Sequence, residues 1–233
     1  QALYPVMEGR PDLYRAFMCQ VWEHQSRTGT AALVHMETHF TDAKTPELRA
    51  CTYRRLRRHW QFINELQLYD VDHHNAYGIH IYGTERAPHF LHATSLYHPE
   101  TVLRSLMHDG SGEEPGFKDP HTGTWDLRPH SSRIEQIDES ALKIWQLVTG
   151  ADDWRSTPMV STVNSATAST LATLASQPRI GSLNLHFSTG WNETTDFQKG
   201  IFTKEWGTSP WEDAILQGPH LHVSTPMYKQ PNK

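Results

Sequence analysis

The sequence predicts an α/β fold. Two observations carry that expectation. Apolar residues recur at helical spacing over 12–27, and a short apolar run bounded by turn residues follows at 30–36. The alternation then continues, helix, strand, polar loop, strand, to residue 82. A chain of 233 residues makes one large domain or two small ones and buries a sizeable core without staples.

In DLYRAFMCQVWEHQSR, residues 12–27, Leu13, Phe17, Met18, Val21 and Trp22 share one helical face. Asp12 is placed to accept hydrogen bonds from the free amides of the first turn, and Gly29 to act as a left-handed stop. TAALVHM, 30–36, suits a buried parallel strand. Pro46 fits the first turn of a second helix, where its missing donor is harmless. That helix is expected to reach about Trp60 and to carry Arg49, Arg54, Arg55, Arg57 and Arg58. Strands are expected over about 62–69 and 76–82, joined through Asp70 to Asn75. Nothing before residue 12 supplies earlier strands of such a sheet.

Gly, Pro and His punctuate 108–132, which reads as an ordered loop or linker. Helices are expected over 139–149, around Leu142, Trp145 and Leu147, and within 160–176. The remainder reads as strands joined by turns. The expected organisation is thus 1–105, a connecting segment 106–138, and a smaller α+β region 139–233.

With 37% hydrophobic residues and eight each of Trp, Tyr and Phe, the chain reads as globular. No apolar run approaches the roughly 20 residues that span a bilayer, and no basic, apolar leader suggests secretion. Cys19 and Cys51 give no disulfide framework and fit a reduced, cytoplasmic setting. Both ends, at Gln1 and Lys233, look like cuts through something longer. The formal charge of −5 counts against indiscriminate nucleic-acid binding, though not against a local basic stripe.

Arg54, Arg55, Arg57 and Arg58 are candidate phosphate contacts; the alternative is a solvated helix face paired with acids. Asp109-Gly110-Ser111-Gly112 suggests a phosphate cradle, but without a buried strand before it or a Lys-Ser/Thr after it, an ordinary turn is expected. Among the 16 histidines, His35 and His39 are four apart, His73 and His74 adjacent, and His220 and His222 on one strand face. No recognised zinc spacing joins them, so no metal is assigned and scattered structural or surface histidines are expected.

Four segments in order resemble the later motifs of gamma-class N6-adenine DNA methyltransferases of restriction-modification type: GRPDLYRAF, GTAALVHMETHF, ELRACTYRRLRRHW and FINELQLYDVDHHNAYGIHIYG. RSLMHDGSGEEPGFKD, TWDLRPHSSRI, STGWNETTDFQKGIF and WEDAILQGPHLHVSTPMYKQPN are similar to the downstream blocks of a bacterial subset. The resemblance implies the back half of a Rossmann-like methyltransferase sheet, closed by an antiparallel strand pair, then part of a DNA-recognition region. It also implies that the turn before the last strand carries an aromatic group that stacks on a flipped adenine. Tyr69, His73, His74 and Tyr77 are the candidates; a plain hairpin connection is the alternative. Gln217 is a candidate to read a base edge and Lys229 to meet a phosphate, against a Gly-Pro turn braced by histidines.

The family binds S-adenosylmethionine with an acidic, glycine-rich loop and holds the target amine with Asn/Asp-Pro-Pro-Tyr/Phe. This sequence contains no Pro-Pro pair and no such loop after a leading strand. The expectation is therefore a catalytically incomplete piece, binding no S-adenosylmethionine itself, whose partners are double-stranded DNA, a missing N-terminal half and further copies of itself. Two other classes stand beside it: a stand-alone DNA-binding specificity module and a metal-dependent hydrolase using the histidines.

Overall fold

The computed structural model of the protein describes residues 4, 6–7, 12–185, 192, 194–201 and 203. Two units emerge, 1–178 and 179–233. The first is built on a mixed sheet of β1 (Ala31–Met36), β2 (Leu56–Ile63), β3 (Ala76–Tyr82), β4 (His89–Leu96) and β5 (Glu135–Asp138). Its order is β1-β3-β2-β4-β5. β3 runs antiparallel to both β1 and β2, β4 runs parallel to β2, and β5 runs antiparallel to β4. The helices described in this unit are α1 (Leu13–His24), α2 (Pro46–Arg55), α3 (Pro99–Ser105), α4 (Glu139–Thr149) and α5 (Ser165–Ala175). The α/β class expected from the sequence is the class observed.

Local chemistry explains most of the boundaries. Asp138 starts α4 by accepting from the Ala141 amide at 3.0 Å, and Gly150, at φ 72°, ends it in the left-handed conformation. Pro46 and Pro99 occupy first turns. Asp12 stands at the N-cap of α1 without a side-chain capping bond, and the helix closes at the extended Gln25 rather than at Gly29.

Three expectations need correction. The second helix stops at Arg55, and 56–63 is strand, so Arg57 and Arg58 do not lie on a helix. Pairing overrides helix propensity here, because Leu56, Trp60 and Phe62 can then be buried against the sheet. The run at 31–36 is not a doubly buried parallel strand. It pairs antiparallel with β3 and alternates half-buried and exposed residues, with Val34 and Met36 exposed on the outer face. No division falls within the expected connecting segment 106–138; the two units part after Pro178. β5 pairs with β4 and α4 follows it directly, which knits that segment into the first unit.

One face of the sheet packs Tyr82, Phe90 and Ile137 with Met18, Phe40, Tyr53, Leu142 and Trp145. Phe40, Tyr53, Tyr82 and Phe90 are essentially fully buried, and cutting any one back to Ala would cost about 3–5 kcal/mol. The opposite face carries Trp60, Phe62, Tyr77 and Ala93, packed with Leu96 and with Val102 of α3. Met7 packs with Cys19 of α1 and Leu48 of α2. Both cysteines are free and buried. No helix among the described residues is long and apolar enough to cross a membrane.

In the second unit the described residues form a tight turn at Ile180–Leu183 and a four-residue helix, α6 (Thr195–Gln198). Asn192 Oδ1 accepts from the amides of Thr194 and Thr195 ahead of that helix.

Candidate functional site

The β2–β3 connection is ordered by one buried side chain. Asn64 Nδ2 donates to the carbonyls of Tyr69 and Val71 at 2.9 Å each, and its Oδ1 accepts from the Tyr69 amide at 3.1 Å. Gln67 takes a left-handed φ of 50° to close the turn. The result is a braced loop that leaves Leu66, Leu68, Tyr69 and Val71 exposed. Tyr69 stands edge-on to Tyr77, with ring centroids 4.8 Å apart. Tyr77 is buried on β3 and stacks on Phe62. Of the four stacking candidates, Tyr77 is therefore a core residue that positions Tyr69. His73 and His74 sit at the far side of the loop, their rings 3.7 Å apart beside Asp72.

The arginines are separated by the strand start. Arg54 donates to Glu85 at 2.5 Å, and Arg55 lies over the Trp22 ring at 5.0 Å. Arg57 donates to the carbonyls of Arg55, Leu56 and Thr84. Arg58 alone of the four is exposed. The solvated-face alternative thus describes Arg54 and Arg55, and Arg57 braces the backbone. The glycine segment at 109–112 is a turn, with Asp109 Oδ1 accepting from the amide and hydroxyl of Ser111.

A second constellation was not legible as such in the sequence. Register aligns His80 of β3 with His59 of β2, and His59 with His92 of β4, in one row across the sheet. All three are fully buried. Glu37, immediately after β1, reaches over the same row. His59 Nε2 donates to Glu37 Oε1, and Gln61 Nε2 donates to Glu37 Oε2. His59 Nδ1 lies 2.8 Å from His92 Nδ1. One of the two rings donates and the other accepts in this second bond. His80 Nε2 is 3.5 Å from Glu37 Oε1 without hydrogen-bond geometry, and neither of its ring nitrogens has a partner. His35 stacks on His80 at 3.9 Å. Space for the carboxylate comes from Gly78, where any Cβ would collide with Glu37 Oε1 and the His80 ring.

Burial sets the protonation states. It pushes the Glu37 carboxyl up, but His59 and His80 outweigh it and hold it well below the carboxylate range. Burial pulls His80 down to about 3 and His39 and His92 well below the ordinary imidazole value. The site is a buried carboxylate among imidazoles, with no Lys or Arg paired to it among the described residues.

No family model and no curated protein matches the chain.

The remaining candidates divide cleanly. Gln217, His220, His222 and Lys229 lie outside the described residues. Histidines expected to be scattered are instead gathered: His35, His39, His59 and His80 lie ring against ring, with His92 stacked on His59. The missed signal is a histidine on each of β1 to β4, His35, His59, His80 and His92, which only the pairing register brings together. A further cleft of about 380 Å³ lies between β5, α4 and α5, lined by Ile137, Ile144, Trp145, Leu171 and Glu135. Glu135 accepts from the Thr162 hydroxyl, and burial pushes its carboxyl up to about 7.

Proposed function

We propose that the chain is the target-facing part of an N6-adenine DNA methyltransferase, acting in the cytoplasm and catalytically incomplete by itself. The observation that carries the reading is the order of α1, β1, α2 and the antiparallel β2–β3 pair, on the segments whose motifs resemble that family. The loop joining the pair presents an exposed aromatic ring, Tyr69, on a rigid support, as base stacking requires. S-adenosylmethionine belongs to the complete enzyme; the glycine loop and the Pro-Pro tetrapeptide that would hold it and the target amine are absent from this sequence.

β1 lends further support. Among the described residues it pairs on one side only, with β3. Its exposed Val34 and Met36 lie on the face away from α1, and exposed apolar side chains beside a strand paired on one side are what another part of a sheet covers. An N-terminal methyltransferase half is the proposed occupant, and self-association through the same edge is expected when that half is not supplied. The hydrolase alternative fares worse, because its best ligand set, Glu37, His59 and His80, is buried away from any substrate.

The test is DNA binding by the full chain, compared on a paired duplex and on one with a mismatched adenine, which costs less to extrude. Binding is expected to be weak and salt-sensitive, tighter on the mismatch. Tyr69→Ala should abolish that preference, since stacking on one base is worth about 1–3 kcal/mol. Equal preference in wild type and variant would remove the stacking role. Saturable micromolar binding of S-adenosylmethionine in calorimetry would remove the reading of the chain as incomplete.

A further inference from the structure

We infer that Glu37, His59 and His80 form a binding site for a single zinc ion, which staples β1, β2 and β3 together. Glu37 Oε1, His59 Nε2 and a ring nitrogen of His80 lie within 4.8 Å of one another, and each comes from a different strand or strand end. Two imidazoles and a carboxylate are a known protein ligand set for zinc, which takes a further donor such as water in the fourth position.

Three observations point to a cation rather than to a self-sufficient hydrogen-bond cluster. The Glu37 carboxylate is buried, and its ion-pair partners among the described residues are imidazoles alone. A buried carboxylate without a formal positive partner is costly. His80 is fully buried with both ring nitrogens unpartnered, which a native interior rarely tolerates without a water or ion. Gly78 leaves open the volume in which the carboxylate and the His80 ring meet.

The spacing is close to what the ion demands. Zinc–nitrogen and zinc–oxygen bonds of about 2.0–2.2 Å in a tetrahedron set ligand atoms roughly 3.3 Å apart. Glu37 Oε1 and His80 Nε2, 3.5 Å apart, already stand at that separation. Glu37 and His59, now hydrogen-bonded, must part to it. Zinc on His59 Nε2 leaves Nδ1 as a donor to His92 Nδ1, 2.8 Å away. Ligating imidazoles are commonly oriented by such an outer hydrogen bond. The Asp72, His73 and His74 group on the β2–β3 loop is the competing surface site.

The experiment uses the full chain, stripped with chelator and titrated with Zn²⁺ under long-range ¹H–¹⁵N observation of the imidazoles. One equivalent should shift two buried histidines before it shifts His73 or His74, and should raise Tm by roughly 5 °C. Co²⁺ in its place should give a tetrahedral visible spectrum. Glu37→Gln and His80→Gln should abolish both signals, while the triple variant D72N, H73A, H74A keeps them. Should the buried variants fail to fold, the wild-type imidazole shifts and the triple variant still decide. Failure of the folded wild-type chain to take up Zn²⁺ would overturn the inference. Uptake that disappears with the triple variant would move the site to the loop and equally overturn it. Neither result bears on Tyr69 or on DNA.

Discussion

Replacing Glu135 with Gln should change how the protein's stability depends on pH, in a direction opposite to that of most carboxylates. Glu135 begins β5 and faces the cleft beside Ile137 and Trp145, where it accepts from the Thr162 hydroxyl. Burial disfavours its charged form and raises the carboxyl from 4.5 to about 7. In the unfolded chain the proton leaves near the ordinary value. Between the two values the folded state holds a proton that the unfolded state has lost, so stability falls as pH rises. The slope is about 1.4 kcal/mol per pH unit, and the full interval amounts to roughly 3 kcal/mol at most. Glutamine keeps an acceptor for Thr162 and carries no charge. Urea unfolding of both proteins at steps between pH 4.5 and 8.5 measures the effect as a difference, which cancels every other titrating group. The variant should match wild type near pH 4.5, gain on it progressively, and level off above about 7 with a lead of roughly 3 kcal/mol. Parallel curves, or a lead that shrinks with pH, would mean that Glu135 reaches water in the folded state.

Arg58→Ala alone should flatten the salt dependence of DNA binding by about one charge, as far as the four-arginine replacement does, because Arg54, Arg55 and Arg57 are already engaged. A larger change in the quadruple variant would show that the engaged arginines also release to phosphate. Asn64→Ala should cost about 2 kcal/mol in chemical denaturation and speed amide exchange at Tyr69; unchanged exchange would mean that the loop is held elsewhere. Arg133→Met should cost about 2–3 kcal/mol, since Arg133 is buried and donates to the carbonyls of Arg128 and Asp126. Asp126 keeps Arg128 as its partner, so a loss well beyond that range would reveal an additional role for the buried charge.

How much of this was legible beforehand differs by element. The α1 helix, the apolar run of β1, the Pro start of α2 and the span of α4 followed from local signals, but the buried face of α1 did not: Leu13 and Phe17, expected on it, are exposed, and Arg15, Met18 and Cys19 are buried instead. β2 did not, because LRRHWQFI is rich in residues that a helix accepts, and only a partner on each side makes it a strand. β4 and α3, in a stretch without clear periodicity, were not anticipated. The β2–β3 loop was visible as polar punctuation between strands, but its clamp was not, because nothing in the sequence marks Asn64 as buried. The histidine row depends on register, which couples residues 33 positions apart at His59 and His92. Single-strand patterns carry no such information.

The position of β3 also fixes an order of events during synthesis. β1 and β2 leave the ribosome first, yet they do not pair with each other; each is hydrogen-bonded to β3. Until Tyr82 has emerged, both must wait with open edges, and the row around His59 and Glu37 has no closing strand. At roughly 5–20 residues per second, the twenty-seven residues from Leu56 to Tyr82 leave a window of seconds. Insertion of a strand between two waiting neighbours is a non-local step of the kind that slows folding. It also gives a chaperone, or a neighbouring nascent chain, its best opportunity to bind.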